Sequence, residues 1–254
     1  MNKIYEQMLA EIRRLAPRIT SRAAEIEAER RTPPDIVDSL RSIGIFRMFV
    51  PRSRGGLELD LPLGLDIVRS LARIDGSVGW NTMIGSVSGL AFPLMAPETY
   101  ERIYRNGPDV ICAGAVHPGG TAEPVAGGWR VSGRWAFASG CQHADWMLGL
   151  CIMTKSGKPL PGPAGESGPP LVRGILLPAQ DWQIEDSWHA EGLKGTGSHH
   201  IRLKDKVVAA ENFFDFPAGS SCVPGPLYQS VPHFLPLMHG APSPPAWPRV
   251  RSPS

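Results

Sequence analysis

The 254-residue sequence predicts an α+β fold, an all-helical N-terminal domain followed by a middle domain built as an antiparallel β-barrel or sheet. Three observations predict it. Apolar residues recur at steps of three or four through the first hundred positions, the period of helices that each bury one stripe. After Asn106-Gly107-Pro108 the texture changes to short β-favouring runs separated by glycine and proline clusters. No helical pattern lies between those runs, which disfavours the parallel sheet of a βαβ array.

In chain order, Ile4, Met8, Ile12, Leu15, Ile19, Ala23 and Ile26 form one stripe, and Pro17 within it predicts a kink or a break. Thr32-Pro33-Pro34-Asp35 opens a second helix, because proline suits a first turn, and Gly44 closes it. Further helices are predicted over about 62–74, 77–90 and 97–105. Strands are predicted over 110–115, 129–135, 146–153, 172–177 and 200–204, with 155–170 too polar and proline-rich to pack and therefore a surface loop. The expected organisation is a helical domain over 1–107, a β-domain over 108–218, the start of a C-terminal helical domain over 219–240 and an aberrant proline-rich tail over 241–254.

Composition narrows the function classes. The chain carries 26 Lys and Arg against 24 Asp and Glu, for a net charge of +2, and no block of five like charges. It has no electrostatic footprint for nucleic acid or an anionic membrane. Its apolar stretches are shorter than the roughly 20 residues of a membrane span, and the opening MNKIYEQMLAEIRR has no secretory apolar core, so a cytoplasmic location is predicted. Cys112, Cys141, Cys151 and Cys222 show no CxxC pair, and the seven histidines form no HExxH motif. Free thiols and no metal site are predicted.

Four stretches are candidates for a ligand site. Trp135 and Phe137 alternate along one predicted strand, and Ser139 shares their face, so an aromatic wall ends in a hydroxyl beside Gly140. The same pattern also suits an ordinary sheet core. Gly114 and Ala115 begin a glycine-rich loop, GAVHPGGTA, whose backbone N–H groups could face a ligand, although no helix follows and it is no dinucleotide motif. Trp80 and Asn81 sit in a helix where buried polar groups need partners, supplied either by helix packing or by a ligand. Gly195-Thr196-Gly197-Ser198 is a tight turn of small residues, a plain turn or a place of close approach. His199 and His200 cannot both face inward from one strand.

Three segments in order resemble one family. Phe49-Val50-Pro51 with Gly55-Gly56-Leu57 and Asp60, then Gly127 to Gly140 (GGWRVSGRWAFASG), then Asp186-Ser187-Trp188-His189 with Gly192 to His199 (GLKGTGSH) are similar to the acyl-CoA dehydrogenase superfamily over about residues 1–240. The glycine-rich loop departs from the Thr-Glu-Pro-Gly pattern of the dehydrogenases, and the chain looks more like the two-component, flavin-dependent hydroxylase branch. The resemblance implies FAD or FMN as cofactor and reduced flavin plus oxygen acting on an aromatic or related small molecule. It implies a separate flavin reductase, and a homotetramer in an intact homologue. Trp135, Phe137, Ser139, Gly114, Ala115, Thr196 and Ser198 would contact the flavin, and Trp80 and Asn81 the substrate pocket. An acyl-CoA dehydrogenase and a non-catalytic remnant are the alternatives. The family would continue into a four-helix bundle, from which its catalytic acid/base usually comes, whereas APSPPAWPRVRSPS holds five prolines in fourteen residues. Read one nucleotide earlier, its codons can spell a small-residue helix. The expectation is therefore an out-of-frame tail from about Ala241, with that bundle absent; a naturally disordered tail is the alternative.

Overall fold

The computed structural model describes residues 2–215 and 219–229. Helices come first: α1 Lys3–Ser21, α2 Ala23–Glu29, α3 Pro34–Ile43, α4 Leu61–Ile74, α5 Gly76–Ser86, α6 Ser88–Ala91 and α7 Pro97–Ile103. Asn2 starts α1 by accepting the N–H groups of Ile4 and Tyr5 at 3.1 and 3.3 Å. The predicted stripe is buried at Met8, Ile12, Leu15 and Ile19. Pro17 neither breaks nor ends α1, correcting the expected interruption. It lies inside α1, which runs on to Ser21 with Leu15 and Ile19 buried on either side of it, and the stripe passes into α2 beyond Arg22. Gly44 closes α3 at a φ of 92°, and Asp75 opens α5 by accepting Val78 N–H at 2.9 Å. The predicted 77–90 helix is divided at Val87 between α5 and α6.

The strands are β1 Cys112–Val125, β2 Gly128–Ala138, β3 Trp146–Lys155, β4 Lys158–Pro159, β5 Pro161–Gly162, β6 Gly165–Pro170, β7 Val172–Pro178, β8 Gln183–Glu185, β9 His199–Val208 and β10 Phe213–Phe214. They form a sheet in the order β10-β7-β3-β1-β2-β9-β8, with β4 on β3 and a separate β5–β6 ladder. Every ladder is antiparallel except β1 with β3, which is parallel. The sheet is open, ending at β10 and β8. Two local expectations are corrected. The glycine-rich stretch from Gly114 is not a loop but the middle of β1, bulged between Ala115 and Gly120 in its ladder with β3, with β2 joining its other edge from Gly120. The 155–170 loop carries short strands of its own, largely exposed.

A helical core around Ile12, Ile19, Phe49, Ile67 and Leu71 is separate from a sheet core around Val131, Trp135, Met147 and Ile201. Polar ties join the two layers. Asp145 accepts Ile111 N–H at 2.8 Å and pairs with Arg41, Arg47 pairs with Asp109, and Arg30 pairs with Asp186. After β10 the chain returns to the helices, where Cys222 N–H bonds Pro93 O at 2.7 Å. The short helix α8, Pro226–Gln229, buries Tyr228, whose hydroxyl donates to Phe49 O at 3.2 Å. The out-of-frame tail expected from Ala241, and the rest of the segment that leads to it, lie outside the described residues.

Candidate active site

The site is made by an irregularity in β2. Trp135 pairs with Ile201 and Ala138 with His199, so three steps on β2 face two on β9. The extra residue is taken up at Phe137, whose backbone has a φ of 64°, and Ser139 N–H turns back to Phe137 O at 3.0 Å. A left-handed non-glycine residue costs roughly 1–2 kcal/mol, so this conformation is imposed by the surrounding sheet. It throws the Phe137 ring to the opposite face, where it is 64% exposed, while Trp135 is fully buried.

The shared aromatic face of Trp135 and Phe137 is therefore not formed. Trp135 lies in the sheet core, edge-on to Trp182 at 5.1 Å, and its Nε1 donates to Leu150 O at 2.7 Å. Glycines close around it: a Cβ at Gly120 would stand 2.3 Å from its Cζ2, and one at Gly149 2.7 Å from its Cε2. With its face covered and its donor used, Trp135 offers nothing to a ligand.

Phe137, by contrast, borders a cleft of about 200 Å³ between α5, α6 and β1. Its walls are apolar at Ile84, Val87, Ala91, Cys112 and Leu148, and Gly114 and Ala115 supply backbone to the same surface. Gly114 has a φ of 146°, and a Cβ there would meet Leu148 O at 2.2 Å. One edge is polar. Trp80 Nε1 donates to Ser139 Oγ at 2.9 Å, Ser139 Oγ shares a proton with Ser198 Oγ at 2.7 Å, and Ser198 does so with Thr196 Oγ1 at 2.6 Å. Thr196 Oγ1 in turn lies 2.9 Å from Leu193 O. Because a carbonyl only accepts, Thr196 donates to Leu193 O, Ser198 to Thr196 and Ser139 to Ser198, so Ser139 keeps a lone pair for the cleft. A ring edge carrying a donor can be met there.

Of the positions singled out from sequence, Trp80, Phe137, Ser139, Gly114 and Ala115 line this cleft, and Thr196 and Ser198 stand behind Ser139. Asn81 does not line it. Its Nδ2 donates to Thr32 Oγ1 and Gly195 O, both at 3.1 Å, on the far side of α5. There it borders a second, very small space with Thr82, Gly140 and His143. Burial pulls the His143 imidazole down to about 4, with nearby Arg31 adding to the effect, so it is neutral at pH 7. Sequence reasoning passed over Val116, His117 and Trp188. Val116 and His117 line the cleft from the β1 bulge, and Trp188 meets the Phe137 ring edge-on at 6.1 Å. The single sequence signal for the first two was their place in the glycine-rich stretch. The Cys112 thiol is buried and its pKa raised, so it stays protonated. Among the described residues no group of His, Cys, Asp and Glu is arranged to hold a metal ion. No helix among them is long and apolar enough to cross a membrane.

Comparison with known proteins follows the same lines. Residues 3–97 match the acyl-CoA dehydrogenase N-terminal domain family. The chain is 34% identical to the oxygenase subunit HsaA of a flavin-dependent monooxygenase from Rhodococcus jostii, over 82% of this chain and 52% of the relative. It is 31% identical to the oxygenase component of an FADH(2)-dependent resorcinol hydroxylase from a Rhizobium species, over 95% of this chain and 58% of that protein. Among solved structures, the 3-HSA hydroxylase from Rhodococcus sp. RHA1 superposes with a TM-score of 0.82 at 30% identity, covering 93% of this chain and 60% of the other. The chain spans about half the length of the curated relatives it matches.

Proposed function

We propose, from the premise that this chain belongs to the acyl-CoA dehydrogenase superfamily, that it forms the flavin-facing part of a reduced-flavin hydroxylase acting on an aromatic or related small molecule. The observation that carries this reading is the cleft in which Phe137 is held out by a left-handed backbone next to a hydrogen-bonded Ser139. A flavin ring needs a flat apolar wall and a polar edge, and the residues present fit that requirement. Phe137 and the α5–β1 surface would supply the wall. Ser139, backed by Trp80, Ser198 and Thr196, would supply the edge, and Gly114 would let backbone approach the ring. The cofactor, FAD or FMN, supplies the redox chemistry with oxygen when bound. This chain's own residues orient the ring, exclude water at the apolar wall and offer its edge a lone pair at Ser139 Oγ. The cleft is apolar enough for an aromatic substrate: among the described residues Cys112 and His117 are its only ionisable lining groups.

In this reading 1–107 and 108–218 are the two domains that wall the site, and 219–240 is the start of a C-terminal helical domain that an intact homologue would use to complete it. The relatives named as oxygenase subunit or component support a separate reductase as partner; a cytoplasmic setting and a homotetramer for the full-length assembly are part of the proposal on the family resemblance alone. The test is anaerobic titration with reduced FMN or FAD, followed by oxygen and a phenolic substrate, against a parallel assay with an acyl-CoA and an electron acceptor. Saturable flavin binding that is weakened in Ser139→Ala and Phe137→Ala is expected. Absence of saturable binding at micromolar flavin would sink the proposal.

A further inference from the structure

His199 begins β9 with its ring 2% exposed, and it is used by none of the chemistry above. Its Nδ1 accepts two backbone N–H groups, those of Ser187 and Trp188, each at 3.2 Å. An atom that accepts two N–H donors must carry a lone pair, so the ring is neutral with its proton on Nε2. The residue that this arrangement fixes is Trp188, whose ring stands edge-on to Phe137 at 6.1 Å. His200, the next residue, flanks the other side of Phe137 at the same distance.

We propose that His199 is a positioning residue: its neutral Nδ1 holds the 187–188 backbone so that Trp188 props Phe137 at the mouth of the cleft, and its protonation loosens that prop. Once protonated, Nδ1 becomes a donor facing two donors, and both amides lose their acceptor at once. Arg30 still bonds Asp186 and Trp188 O, and Trp188 Nε1 still donates to Leu193 O at 3.2 Å. The segment therefore shifts rather than detaches. The charged and titratable groups facing His199 are Asp186, Arg30, His189 and His200. Only Asp186, 3.6 Å away and engaged by Arg30, favours the charged ring, while burial and the three cationic or titratable neighbours oppose it. Protonation thus belongs below the ordinary histidine range.

The consequence for ligand affinity rests on the flavin reading above; the movement of Trp188 does not. The chain is labelled with 5-fluorotryptophan, and the Trp188 fluorine signal is assigned with Trp188→Phe. The expected result is a Trp188 signal that titrates below pH 6.5 in the unmutated chain. It should be flat in His199→Asn, whose amide oxygen replaces Nδ1 as an acceptor that does not titrate. A Trp188 signal that ignores pH, or that titrates equally in His199→Asn, overturns the proposal. Amide exchange at Ser187 and Trp188 in the unmutated chain, corrected for intrinsic pH dependence, gives a second reading that needs no variant. It should accelerate at least tenfold across the same transition, and constant protection overturns the proposal. FMN affinity should fall at least fivefold from pH 7.5 to 5 in the unmutated chain and less than twofold in His199→Asn. A Trp188 transition with no change in FMN affinity overturns the prop on Phe137 alone. A Trp188 transition in a chain that binds no flavin counts against the flavin reading and leaves the Nδ1 device standing.

Discussion

Trp135 and Phe137 stand two residues apart on one strand and are treated in opposite ways. Trp135 is enclosed by glycines, fully buried and hydrogen-bonded to Leu150 O; Phe137 is largely exposed, left-handed and aimed at a cleft. One inserted residue in β2 separates them. The difference teaches that a strand can invest one aromatic ring in stability and the next in a binding surface, provided a bulge reverses the side-chain alternation between them.

The comparison breaks first on stability. Trp135→Ala is expected to lower unfolding free energy by about 3–5 kcal/mol, measured by denaturant titration, and Phe137→Ala by less than about 1 kcal/mol. Equal costs at the two positions would mean that both rings are core. The next effect tests the ground beneath the cleft. His143 is pulled down to about 4 from 6.5 by burial, so the unfolded chain binds the extra proton first as pH falls. Its contribution is full above pH 6.5 and is lost progressively between pH 6.5 and 4, up to about 3 kcal/mol at one unit per 1.36 kcal/mol. His143→Gln should flatten the stability profile over that window, and an unchanged slope would remove His143 as its cause.

A smaller effect is expected at the polar edge. Ser139→Ala removes the hydroxyl that Trp80 Nε1 and Ser198 Oγ both bond, at a cost of about 1–2 kcal/mol. Flavin affinity, read by fluorescence quenching, should fall in the same variant. The smallest effect sharpens the comparison most. Phe137→Gly relieves a left-handed backbone by about 1 kcal/mol while deleting the ring's contacts with Trp188 and His200. Stability should therefore change by less than about 1 kcal/mol while flavin affinity drops. A large loss of stability would show that the bulge depends on the ring.

Much of the fold was legible because its signals are local. The stripe Met8, Ile12, Leu15 and Ile19, the Pro33-Pro34 start and Gly44 end of α3, and the glycine-punctuated strands each depend on neighbours a few positions away. Pro17 misled because the buried stripe on both sides of it, at Leu15 and Ile19, holds the helix despite the one backbone bond that proline removes. The 114–122 stretch misled because glycines that suit a loop also suit a strand whose neighbours press close, as Leu148 does on Gly114. At the site, Trp80, Ser139, Thr196 and Ser198 drew notice one at a time, but their hydrogen-bonded chain joins residues 59 positions apart. No sequence period reports that. Trp188 and His199 were invisible as a pair for the same reason.

The sequence by itself determined where helices give way to strands, that its charges nearly balance with no block of five alike, and which motifs resemble a flavin-using family. Those properties follow from composition and short-range periodicity. Only the tertiary structure decided that Trp135 faces the core and Phe137 the cleft, because the bulge is defined by the register of β2 against β9. It alone turned Asn81 away and set His199 behind Trp188, because those contacts exist only after distant segments have packed.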